Sequence, residues 1–302
     1  MSSSPPIIEH LKDALEYIFT PSAPVITIGL LIVFIVPILV HLFITRQTPY
    51  TSLPYILLAG PAGGGKTSLL TLLERGDAPA ETHTSQTPHA VELTVSLDAG
   101  ASTFREAARE DAPGSHKKFY LIDTPGHGKL RGAAMAQISK TGKTSQTQFG
   151  DSAMLRGVIY VLDAATLDDS LADVATYLYH ILLALQKRTG SGRTSRSPNA
   201  VHVLIAANKL DLFTALPAVL VRSNLEAELG RIRQSRSKGL LDSGVGTDEI
   251  GSEEQDSWLG EYGSEKFTFA QMREFDIEVD VISGSIQEGN VDKWWDWISS
   301  RI

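Results

Sequence analysis

The stretch Gly60-Pro61-Ala62-Gly63-Gly64-Gly65-Lys66-Thr67 constrains this chain more than any other. It fits G-x-x-x-x-G-K-[ST]. Before it stands Tyr55-Ile56-Leu57-Leu58-Ala59, a short apolar run with the length of a buried strand. After it comes Ser68-Leu69-Leu70-Thr71-Leu72-Leu73, which opens as a helix. Strand, glycine loop and helix form the context that separates this motif from a glycine-rich turn matching by chance. A chain that begins a domain this way is committed to an α/β fold.

The spacing has a chemical reason. Backbone N–H groups at Gly60, Ala62, Gly63, Gly64 and Gly65 can converge on a polyphosphate because few side chains obstruct them. The helix N-terminus, with Ser68 in its first turn, adds unsatisfied donors and a favourable dipole. Lys66 reaches the outer phosphates, and the Thr67 hydroxyl suits Mg²⁺. The loop alone does not name the base, so kinase, ATPase and GTPase all remain open at this point.

Later motifs narrow the choice. Glu74 to His89 is polar and reads as a loop over the phosphates, carrying Thr84 and Thr87. One threonine of such a loop can meet Mg²⁺ with its hydroxyl and the terminal phosphate with its N–H. Thr87, directly before the strand-like run from Ala90 to Val95, is the assignment made here. Phe119-Tyr120-Leu121-Ile122 is a second strand of a long hairpin and delivers Asp123-Thr124-Pro125-Gly126-His127. Asp123 is expected to hold Mg²⁺ through water, and Gly126 to offer an N–H to the terminal phosphate. Gly128 to Asp151 is polar and glycine-bearing and reads as a mobile segment. Strands follow at Val158–Asp163 and Val201–Ala207, separated by a helix over Asp168–Lys187 with a leucine stripe.

Asn208-Lys209-Leu210-Asp211 decides the base. A carboxylate accepts two hydrogen bonds from guanine N1–H and its exocyclic amine, whereas adenine would leave it unpaired. The Lys209 stem is expected along the base face. An amphipathic helix covers Val219–Arg233, and the acid-, glycine- and serine-rich stretch 235–263 reads as a flexible loop. The last strand ends in Ser283-Gly284-Ser285, where the backbone at Ser283 and Gly284 could meet the guanine carbonyl. Trp294, Trp295 and Trp297 belong to a final core helix.

Composition excludes other classes. There is no cysteine, hence no disulfide, thiolate zinc site, iron–sulfur cluster or thiol nucleophile. The net charge of −8 argues against a sequence-specific nucleic-acid surface. The basic loop Arg188–Asn199 reads as solvated. Residues 1–24 are a short polar N-terminus. Val25 to Ile44 carries no fully charged residue, and as a helix it reaches about 30 Å, the thickness of a hydrocarbon core. Segment 25–45 is thus expected to be a transmembrane helix, 46–54 a tether, and 55–302 the nucleotide-binding domain, on the cytosolic side.

Together GPAGGGKT, the switch threonine, DTPGH, NKLD and SGS resemble a Ras-like small GTPase over Tyr55 to Ile302. The expected fold is a mostly parallel six-stranded sheet with helices on both faces. With the N-terminal span and the run Phe267-Thr268-Phe269, the chain resembles one ADP-ribosylation-factor-type family, the beta subunits of the signal recognition particle receptor. That resemblance implies GTP and Mg²⁺ as ligands and residence in the endoplasmic reticulum membrane. It implies GTP-dependent binding of the receptor alpha subunit's N-terminal domain, and ribosomes or translocon as further partners. His127 stands where related proteins carry a glutamine that orients the attacking water, which puts the rate of hydrolysis in question. A GTP-bound scaffold with little turnover, or another membrane-anchored small GTPase of vesicle traffic, fits the same residues.

Overall fold

A computed structural model describes residues 23–47, 53–76, 81–96, 116–139, 154–190, 200–242, 258–260 and 266–302. Most of the polar N-terminus, most of the tether, residues 191–199 of the basic loop, 140–153 and 243–257 lie outside the described residues. The chain divides into two units, Met1–Thr51 and Ser52–Ile302.

The first unit contributes helix α1 (Ala23–Gln47), 25 residues long with Pro37 inside it. Its described large apolar side chains, from Ile26 through Leu30 and Phe34 to Val40, are exposed. Side chains are described continuously only over 29–41. Among the described residues no helix is long and apolar enough to cross a membrane.

The second unit is built on a six-stranded sheet of order β2-β3-β1-β4-β5-β6. Its elements run β1 (Tyr55–Ala59), α2 (Lys66–Arg75), β2 (His89–Ser96), β3 (His116–Asp123), α3 (Gly132–Ser139), β4 (Leu155–Asp163), α4 (Leu167–Gly190), β5 (Val201–Asn208), α5 (Ala218–Asp242), β6 (Ile277–Ser283) and α6 (Asp292–Ser299). β2 runs antiparallel to β3, and every other neighbour is parallel.

The central strands are apolar throughout because both sheet faces are covered. Successive side chains of β1, β4 and β5 alternate between two cores. Leu57, Tyr160 and Ile205 enter the larger one, with α3, α4 and α5 above it. Ile56, Leu58, Val161 and Leu204 enter the other, beneath α2 and α6. Trp294, Trp295 and Trp297 all enter this second core. Charges match the helix dipole in α4, with Asp168 and Asp169 in its first turn and Lys187 and Arg188 in its last. α2 stops at Gly76, whose left-handed backbone (φ 70°) lets its N–H return to the Leu72 carbonyl.

Two readings need correction. The segment after His127 is not simply a mobile stretch, because Gly132–Ser139 is helical and buries Ala134 and Ile138. Its alanine-rich sequence favours helix even without a long apolar stripe. The stretch 235–263 is not one loop either. α5 continues to Asp242, past the point where its apolar stripe ends. Downstream, Leu259 is fully buried. The buried Arg233 holds it there, donating to the Leu259 carbonyl and stacking on Trp258 at 4.5 Å.

Candidate functional site

All parallel strands end at one edge of the sheet, and the loops that leave them converge there. The loop after β1 and the start of α2 form the floor of a cleft of about 200 Å³. Its wall is built from residues 82–85 and Gly126.

Lys66 is 6% exposed, and its Nζ donates to the Pro61 carbonyl at 2.6 Å. Burial pulls its pKa down to about 8, with Asp123 opposing the shift and Arg131 adding to it. A buried ammonium beside converging N–H groups is a seat for polyanion, which would restore its full charge. Gly65 is required twice over. Its φ is 103°, and a Cβ there would run into the Asn208 amide. Gly126 is required by contact alone: a Cβ would stand 2.5 Å from Lys66 Nζ and 2.6 Å from the Ala62 nitrogen. The loop leaving β3 therefore presses Gly126 directly onto the phosphate loop.

Mg²⁺ fits the next pair. The Thr67 hydroxyl donates to Asp123 Oδ2 at 2.7 Å. The other carboxylate oxygen, Oδ1, is buried with no hydrogen-bond partner. Burial raises the Asp123 pKa, against the bond from Thr67 and the charge of Lys66. A carboxylate oxygen left bare in this way is costly unless a cation meets it. Among the described residues no group of three or more His, Cys, Asp or Glu gathers anywhere.

The wall assigns the threonines differently from the sequence. Thr84 lines the cleft and Thr87 does not. Thr87 is exposed, and its carbonyl accepts from the Ser85 hydroxyl at 2.9 Å. Ser68 meets Thr82 hydroxyl to hydroxyl at 3.0 Å, joining the loop helix to this wall. His127 is also outside the cleft lining. It is exposed, and its Nδ1 accepts from the Lys129 N–H at 3.4 Å.

The base-side residues leave β5 together. Asn208 is buried and spans two loops: Nδ2 donates to the Gly64 carbonyl at 2.9 Å, and Oδ1 accepts from the Ile286 N–H at 3.1 Å. Lys209 has a left-handed backbone (φ 66°), and its ammonium meets Asp163 at 2.5 Å. The turn lets Asp211 reach Ser285, whose hydroxyl donates to Asp211 Oδ1 at 2.6 Å. The sequence suggested backbone contacts to the guanine carbonyl at Ser283 and Gly284 and gave no role to the Ser285 side chain. Gly284 spends its N–H on the Ala207 carbonyl and its carbonyl on the Leu210 N–H. It is fold-holding, and the hydroxyl that orients Asp211 lies one residue further on. The available signal was the second serine of Ser-Gly-Ser.

A P-loop at the first strand, a carboxylate at the end of the third and an oriented N-K-x-D carboxylate after the fifth define a small GTPase of the P-loop class by fold and site. Comparison with known proteins carries this further. The model of the signal recognition particle receptor beta subunit matches residues 51–275, and the chain belongs to that family. The yeast (Saccharomyces cerevisiae) signal recognition particle receptor subunit beta is 28% identical over 251 residues, 82% of this chain and 84% of the yeast one. The human protein of the same name is 27% identical over 289 residues, 95% of this chain and 86% of the human one. Among solved structures, the SRb-GTP/SRX complex of the receptor from Chaetomium thermophilum is 41% identical with a TM-score of 0.68. It covers 82% of this chain and 100% of that one. SRb-GDP-Mg from the same organism is 43% identical with a TM-score of 0.60, covering 84% of this chain and 100% of that one.

Proposed function

We propose that this chain is the membrane-anchored, GTP-binding beta subunit of a signal recognition particle receptor. In this reading its GTP-bound form holds the N-terminal domain of the receptor alpha subunit at the endoplasmic reticulum membrane. Ribosomes with their nascent chains are then recruited there for secretion, next to the translocon. The observation that carries the nucleotide assignment is the Ser285–Asp211 bond beside the Asn208 staple. It holds a carboxylate in one orientation on the loop that leaves β5. That geometry selects the two donors on the guanine edge and penalises adenine.

The residues divide the work. Gly60 and Ala62 to Gly65 supply backbone donors, and Lys66 neutralises charge on the outer phosphates. Thr67 and Asp123 hold Mg²⁺, which shields the charge on the phosphate oxygens when bound. Gly126 and a wall threonine read the terminal phosphate, and this differential contact is what makes a two-state switch. Support for the partner comes from the related SRb-GTP/SRX complex, solved with GTP and a second component. Support for the anchor comes from α1, whose exposed isoleucines, leucines and phenylalanine suit lipid better than water.

One observation favours slow turnover. His127 stands where related proteins carry a glutamine, but it lies outside the cleft lining with its Nδ1 on the Lys129 N–H at 3.4 Å, so it is not placed to orient a water. The chain then acts as a GTP-loaded scaffold until a partner rearranges this turn. The test is nucleotide content. Full-length protein is purified in detergent and denatured, and the released nucleotide is identified by chromatography. Guanine nucleotide in the native chain and its loss in Asp211→Asn is the expected result. GTP would indicate slow turnover and GDP hydrolysis by the isolated chain. Adenine nucleotide, or full guanine content in Asp211→Asn, would sink the assignment.

A further inference from the structure

Gly126 is held from behind by a residue that no motif includes. Arg131 follows the short helical turn Gly128–Leu130 and reaches back toward the strand end. Its Nε donates to the Gly126 carbonyl at 3.3 Å. Its two terminal nitrogens donate to both carboxylate oxygens of Asp173 on α4, at 2.8 and 2.5 Å. The guanidinium lies over the Tyr177 ring at 4.6 Å, one turn further along the same helix. Tyr177 in turn packs edge-on against Tyr160 of β4, whose hydroxyl donates to the Val174 carbonyl at 2.7 Å. The guanidinium is therefore gripped by a fork, a ring and a helix seated in the core. Each grip fixes a different direction.

The consequence falls on Gly126. Glycine has no Cβ to restrict its ψ, so the peptide between Gly126 and His127 is free to rotate unless something holds its carbonyl. Arg131 is the side chain that holds it. We propose that Arg131, braced by Asp173, is the positioning residue for terminal-phosphate recognition. It sets the Gly126 backbone against the phosphate loop and fixes where His127 departs, without touching nucleotide itself. This rests on the reading of Gly126 as the terminal-phosphate contact. The same pair links that contact to α4.

The assay is the ratio of affinities for a non-hydrolysable GTP analogue and for GDP, with Mg²⁺ present, using full-length protein in detergent. Asp173 is 62% exposed in its side chain, so Asp173→Ala leaves the core intact. The analogue is expected to bind about tenfold more weakly to Asp173→Ala, the size of one charge-assisted hydrogen bond, with GDP within about twofold of the native value. Arg131→Ala should behave alike, the double variant no worse than either, and Asp173→Glu should recover most of the loss. Equal weakening for both nucleotides would mean a merely structural role and overturn the inference, as would an unchanged ratio. Failure of the native chain to bind either nucleotide would overturn the guanine reading as well, which keeps the two failures apart.

Discussion

Replacing Asn208 by alanine tests the central claim that one amide staples the phosphate loop to the base-side loop. The side chain is 4% exposed and makes two hydrogen bonds, one to the Gly64 carbonyl and one from the Ile286 N–H. Alanine removes both and leaves a buried acceptor and a buried donor without partners. Each stranded group costs about 1–3 kcal/mol, so the sum is about 3 kcal/mol if one of them finds water. For a domain of this size that lowers the melting temperature by roughly 6–12 °C. All four tryptophans lie in the nucleotide domain, at positions 258, 294, 295 and 297, so their fluorescence reports this unit and not α1. Melting full-length Asn208→Ala in detergent with saturating GDP, against the native chain, gives the number. Asn208→Asp sharpens the test. Its carboxylate still accepts from Ile286 but faces the Gly64 carbonyl with like charge, so it should be at least as destabilising. A shift below about 2 °C in both variants would refute the staple.

Two further outcomes follow from the cleft. Above pH 8 the free protein has released the Lys66 proton, because burial holds its pKa at about 8, whereas bound phosphate keeps the ammonium charged. Binding then takes up a proton, and GDP affinity measured in EDTA should be flat below pH 8 and fall by up to about tenfold per unit above it. A flat profile to pH 9.5 would show that Lys66 is charged in the free chain. Thr84→Ala should weaken Mg²⁺-dependent binding of a GTP analogue about tenfold, as expected for one lost contact, with Thr87→Ala within about twofold. The reverse result, read by competition with a fluorescent nucleotide, would return the switch role to Thr87.

Much of this protein was legible in its sequence because its chemistry is written in contiguous residues. A phosphate loop needs glycines and a lysine at set spacing between a strand and a helix, and Gly60 to Thr67 meets that requirement whatever the rest of the chain does. Short continuous apolar runs, as in strands covered on both faces, point to the parallel sheet, and DTPGH and NKLD mark where its third and fifth strands end. What contiguity cannot encode is which residues meet from distant parts of the chain. That the Ser285 hydroxyl orients Asp211 depends on how far β6 runs before Gly284 closes onto Ala207 and Leu210. That Thr84 rather than Thr87 walls the cleft depends on where the segment before β2 crosses the phosphate loop. The Arg131–Asp173 brace joins α4 to the turn just before α3, two places that the sequence leaves unrelated, the second within a stretch it had read as mobile. Local spacing determined the ligand class and the sheet. Tertiary packing decided the partners of each functional side chain, because those bonds form only once the strand ends are brought to one edge.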